Sequence, residues 1–139
     1  MLFRSYLGAD NRFYIAEATL KMITRMDDIS GSNKRISQYT GFKSPEGVAA
    51  TSNGTLFVTD AGTHQLIKMS SIDDTNPSVV GGRGDRAWQF NAPRGIVLAS
   101  DGNLYIADMG NRRAVRVNQG LSQWDALKNK WTPFGVAFR

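Results

Sequence analysis

Short apolar runs of four to six residues alternate with polar, glycine-bearing turns along the whole chain. No stretch sustains a helical period, so the pattern predicts β-strands throughout. Residues 93–117 show it best, with a small apolar strand over 95–99, the turn Ser100-Asp101-Gly102-Asn103 and a second strand over 104–107. A polar loop and a third strand over 114–117 follow. Asp-Gly tolerates positive φ at both turn positions and signals a hairpin. The second strand, Leu104-Tyr105-Ile106-Ala107, is apolar on both faces, which predicts cover on both sides. Fourth strands are the faintest, at 35–39, 78–80 and 124–127, and residues 121–130 read equally as a turn or two of helix.

The pattern repeats. At an offset of 48, Phe42 meets Phe90, Pro45 meets Pro93, Gly47 meets Gly95, Gly54 meets Gly102 and Asp60 meets Asp108. At an offset of 43, Phe13-Tyr14-Ile15-Ala16-Glu17 falls on Leu56-Phe57-Val58-Thr59-Asp60. Pro133-Phe134-Gly135-Val136 restates Pro93-Arg94-Gly95-Ile96 at an offset of 40. Periods of 40–50 residues belong to propeller blades of four antiparallel strands, and small residues suit the innermost strand where blades crowd an axis.

Pro-x-Gly-Val/Ile, Ser-x-Gly-x-Leu and Ala-Asp-x-Gly-Asn-Arg-Arg together resemble the NHL-repeat β-propeller. The resemblance is strong in the third repeat and good in the second. It is weak in the first, where Glu17-Ala18-Thr19-Leu20 replaces Asp-x-Gly-Asn. The fold class expected is therefore all-β, with three four-stranded antiparallel blades over residues 1–41, 42–82 and 83–130 and an extra innermost strand over 131–139. The resemblance implies rings of about six blades, and three blades cannot close one. Two bare sheet faces favour self-association, and a homodimer completing a six-bladed ring is the expectation. A longer chain or another stoichiometry is the alternative. Both residues 3–7 and the C-terminal segment compete for the innermost strand of the first blade.

Composition narrows the chemistry. The 139 residues include no cysteine, which excludes disulfides and thiolate metal sites, and one histidine, His64. No apolar run reads as a signal peptide or a membrane span, so a cytoplasmic location and no membrane partner are expected. The net charge of +5 is uneven. Residues 1–80 carry eight Lys/Arg against eight Asp/Glu, and residues 81–139 carry nine against four.

Strand direction sorts these charges between two faces. Connections from second to third strands and between blades emerge on one side, with Lys21, Lys43, His64, Arg83, Arg86, Arg94, Arg112 and Arg113 against Glu46 and Asp85. The other side collects Asp10, Asp27, Asp28, Asp73, Asp74 and Asp101, partly offset by Arg12, Lys34 and Arg35. The candidate ligand-binding face is thus Lys43, His64, Arg83, Arg86, Trp88, Arg94, Arg112 and Arg113. Two readings compete: a scaffold for a protein partner, ranked first, and binding of RNA or another polyanion. Trp88 reads more readily as a filler between blades than as a base-stacking platform. Glu17, Asp60 and Asp108 end the second strands and suit backbone N–H bonds from the neighbouring loop. They are also the sole candidates for a calcium site, although their position lies away from the axis. The resemblance extends to propeller lyases and hydrolases, but no catalytic residue, metal ligand or cofactor is expected. Arg83-Gly84-Asp85 and Gly81-Gly82-Arg83-Gly84 read as an inter-blade loop, since no strand-to-helix context supports a phosphate cradle.

Overall fold

The computed structural model describes residues 3–127, 131–132 and 135–136. Three four-stranded antiparallel sheets follow one another along the chain. Blade 1 comprises β1 (Phe3–Leu7), β2 (Phe13–Glu17), β3 (Met22–Met26) and β4 (Arg35–Ile36). Blade 2 comprises β5 (Pro45–Ala50), β6 (Leu56–Asp60), β7 (Gln65–Met69) and β8 (Ser78–Gly81). Blade 3 comprises β9 (Pro93–Leu98), β10 (Leu104–Asp108), β11 (Arg113–Val117) and β12 (Trp124–Leu127), with a single 3-10 turn at Met109–Asn111. Each sheet pairs its strands in chain order.

Residues 124–127 form a strand rather than a helix, in register with β11 from Ala114↔Leu127 to Val117↔Trp124. The N-terminal segment supplies the innermost strand of blade 1, through pairs from Phe3↔Glu17 to Leu7↔Phe13. In the C-terminal segment, β13 (Trp131–Thr132) pairs with β14 (Gly135–Val136). The remainder of the single extra strand expected over 131–139 lies outside the described residues.

Alternation along each strand builds one core at each blade junction. Between blades 1 and 2, Tyr14, Ala16 and Ile23 pack on Val48, Leu56, Val58, Ile67 and Met69. Between blades 2 and 3, Ala49, Phe57 and Leu66 pack on Ile96, Leu104, Ile106, Val115 and Val117. Blade 2 is therefore sandwiched, and all five residues of β6 are buried. Each fully buried Val, Leu, Ile, Phe or Met among them contributes about 1.5–3 kcal/mol relative to exposure.

The innermost strands β5 and β9 each carry a register shift near their start, where they pair with β6 and β10. In β5 the extra residue between the pairs Pro45↔Asp60 and Gly47↔Thr59 is Glu46. Such bulges re-aim a side chain. Here Glu46 is nearly buried and meets Arg94 Nη1 at 3.7 Å, joining the two innermost strands.

Candidate binding face

Among the described residues the connection between blades 2 and 3, residues 82–92, is the longest on its side, and it carries Arg83, Arg86 and Trp88 of the predicted face. Its shape is imposed from below by one buried ion pair. Asp108 Oδ1 accepts the backbone N–H of Asn91 at 2.7 Å, and Oδ2 accepts Asn111 Nδ2 at 2.8 Å and Arg113 Nε at 2.9 Å. Arg113 then donates to three loop carbonyls: Asp85 at 2.6 Å, Arg86 at 2.6 Å and Gln89 at 2.8 Å. Asn111 Nδ2 also reaches the Gly84 carbonyl at 2.7 Å. A buried charge is tolerable when its hydrogen-bonding capacity is satisfied, and here a carboxylate and three carbonyls do so.

This corrects one expectation. Arg113 is 0% exposed and belongs to β11, so it cannot meet a ligand on the face. Its side chain shares the inward period of Val115 and Val117, whereas Arg116 points out. Trp88 departs from expectation in the opposite sense. It is 49% exposed, with the Arg86 guanidinium over its ring at 5.7 Å from the centroid. The inter-blade gap expected for Trp88 is filled by Phe90, which is buried and meets Trp124 edge to face at 6.1 Å.

The other predicted residues divide by exposure. Lys43, Arg83, Arg86 and Arg112 are exposed. Arg112 sits in the left-handed region at φ 50 and ψ 50, closing the 3-10 turn and leaving its side chain outside the sheet. Arg94 is half-buried and tied to Glu46, while its carbonyl accepts Thr59 Oγ1 at 2.6 Å. His64 is a brace: its Nδ1 accepts Ala92 N–H at 3.0 Å and its carbonyl accepts Gly82 N–H at 2.9 Å. The Nδ1 acceptor role places the ring proton on Nε2.

Arg83, Arg86, Trp88 and Arg112 are thus carried by loops clamped together by Asp108, Asn111 and Arg113. Lys43 lies instead in the connection before β5, and Arg94 in β9.

The carboxylates at the ends of the second strands do the bonding expected of two of them. Asp60 accepts backbone N–H groups from Lys43, Ser44, Gly62 and Thr63 at 2.8–3.2 Å. Asp108 adds the arginine. Glu17 instead leaves Oε2 buried with no hydrogen-bond partner. Among the described residues, no three His, Cys, Asp or Glu side chains gather where they could hold a metal ion.

On the opposite face, local hydrogen bonds keep carboxylates ionised. Asp28 is held down to about 2, first by the Ser30 hydroxyl and then by that of Ser32. Asp74 is lowered by the Ser70 backbone N–H, and Asp101 by the Tyr105 hydroxyl. A shallow polar depression of about 200 Å³ also lies there, lined by Asn103, Arg116, Asn118, Gln123, Trp124 and Asp125.

Stacked four-stranded antiparallel sheets, each joined from its outermost strand to the innermost strand of the next, define β-propeller blades. Residues 42–69 match the NHL repeat family model, and the fold is that of propeller blades. No curated protein matches its sequence. Solved structures match its fold. A streptogramin B lyase aligns with a TM-score of 0.69 at 14% identity, covering 88% of this chain and 38% of that one. Virginiamycin B lyase from Staphylococcus aureus, solved with quinupristin, gives 0.68 at 17%, covering 89% and 40%. A nidogen/laminin complex gives 0.66 at 18%, covering 84% and 42%. The chain therefore spans about two fifths of these structures, and identities this low speak for the fold alone. No helix among the described residues is long and apolar enough to cross a membrane.

Proposed function

We propose that this chain is a non-catalytic binding module that presents the 82–92 loop and its neighbours to a protein partner bearing an acidic segment. The observation that carries this reading is the clamp beneath the loop. Arg113 and Asp108 fix the carbonyls of Asp85, Arg86 and Gln89, so Arg83, Arg86 and Trp88 project from a pre-ordered backbone. Pre-ordering lowers the entropy lost on binding. Exposed Trp and Arg are the residue types that dominate interface energetics, and the Arg86–Trp88 stack offers both at one place. Arg112, Lys43 and Arg94 extend the positive field that would steer an acidic partner.

The test is co-purification with the wild-type chain and with Trp88→Ala and Arg86→Ala, whose exposed side chains lie outside the clamp. A partner retained after nuclease treatment, and lost with either variant at unchanged circular dichroism, is the expected result. Loss of the bound material on nuclease treatment, with a salt-dependent gel shift on single-stranded RNA, would transfer the face to polyanion binding. Equal capture by wild type and both variants would remove the loop from the interface.

A further inference from the structure

The two covered junctions follow one register, and the same register is laid out on blade 3, where no fourth blade stands among the described residues. On the side facing the next blade, the innermost, second and third strands contribute Tyr6, Tyr14 and Arg25 in blade 1. Blade 2 contributes Ala49, Phe57 and Lys68, and blade 3 contributes Val97, Tyr105 and Arg116. Each triad is a small or aromatic residue, then an aromatic, then a cation. Tyr105 also repeats a detail of Tyr14, since each hydroxyl donates to the aspartate four residues earlier, Asp101 or Asp10. At the blade 2–3 junction Lys68 Nζ spans the gap and donates to the Gln119 carbonyl at 2.8 Å.

A glycine makes the point independently. Gly47 lies so close to blade 3 that a Cβ would collide with the Arg94 carbonyl and stand 2.8 Å from Thr59 Oγ1. Gly95 holds the matching place after the Pro93 register shift in β9. A Cβ there meets only the Ala107 Cβ, at an ordinary 3.8 Å. Nor does Gly95 adopt a positive φ. Glycine is needed at such a place when another backbone packs against it.

The opposite face of blade 1 is the complement. Leu7, Phe13, Ile15 and Met26 occupy the register that Ala50, Leu56, Val58 and Met69 fill in blade 2. In blades 2 and 3, Leu56, Val58, Met69, Leu104, Ile106 and Val117 are all fully buried. Leu7 is 66% exposed, and Val97, on the far side of the arc, is 56% exposed.

We propose that the outer face of blade 3 docks onto the outer face of blade 1 of a second copy of this chain, and that two such head-to-tail junctions close a six-bladed ring. Six blades lie within the four to eight of closed propellers, and a two-fold axis satisfies both faces at once. Charge fits as well. Gln119, which receives Lys68, corresponds in register to Asp28 of blade 1, so Arg116 would reach the acidic 27–28 turn of the second copy.

Light scattering on the full 139-residue chain at micromolar concentration should give twice the chain mass. Val97→Asp and Leu7→Asp should each weaken association by at least about a hundredfold while leaving circular dichroism unchanged, because each places an unpaired charge in both junctions. Gly95→Leu should do the same. A mixture of Val97→Asp with Leu7→Asp should associate better than either alone, since one of its two junctions is then wild type on both sides. A wild-type monomer, a mass other than two chains, or a dimer indifferent to all three substitutions would overturn the proposal. So would variants that never complement, which would indicate like faces meeting.

Discussion

Blades 2 and 3 place an aspartate at the same register, at the ends of β6 and β10, and use it differently. Asp60 holds a connection of eight residues, 37–44, and the turn that follows it through backbone amides alone. Asp108 faces a connection of eleven, 82–92, whose additional carbonyls an acceptor cannot bind. Arg113 converts the anion into a set of donors for those carbonyls, and at its register blade 2 has Gln65. The difference shows how a repeat acquires an exposed feature: a longer loop on the face requires a buried cation below it.

The sharpest way to break this comparison is Arg113→Ala. It leaves Asp108 buried with one fewer partner and should cost about 3–5 kcal/mol, measured by urea unfolding. Trp88 fluorescence should change even in the folded fraction. Asp60→Asn removes a charged acceptor from four amides and should cost about 1.5–3 kcal/mol in the same assay. A cost equal to that of Arg113→Ala would mean that the two clamps are equivalent after all. Gln65→Ala, at the position of Arg113, should stay within about 0.5 kcal/mol. The smallest effect concerns an exposed clamp. Asp28 lies below its ordinary 3.8, at about 2, through the Ser30 and Ser32 hydroxyls. Its hold on the 28–32 turn is therefore complete above the ordinary value and lost as pH falls from 3.8 towards 2. Amide chemical shifts of Ser30 and Ser32 should follow that titration, and Ile29→Ser should not move it.

Much of this architecture is legible in the residues. The hairpins follow from Asn53-Gly54 and Asp101-Gly102 between apolar runs, and both glycines have positive φ. Blade spacing follows from the recurrence of Pro45 and Pro93 at the head of the innermost strands. Arg113 is hard to place from sequence because Arg112-Arg113 reads as one charged loop. The available signal was period two, which puts Arg113 on the side of Val115 and Val117. Trp88 is hard to place because it lies two residues from a second aromatic, and sequence alone does not say which of Trp88 and Phe90 enters the junction. The brace from His64 Nδ1 to the Ala92 amide joins residues 28 apart and leaves no local trace.

Strand order within every sheet has a kinetic consequence. Since β1 to β4, β5 to β8 and β9 to β12 each pair only with their chain neighbours, every hydrogen-bonded ladder forms across a short loop. Contacts so local in sequence assemble quickly. Docking of one finished meander against the next then buries the cores at the junctions. The transition state for folding should accordingly hold hairpins such as β6–β7 before it holds the stacking of Phe57 against blade 3, and substitutions at Phe57 should act mainly on the unfolding rate.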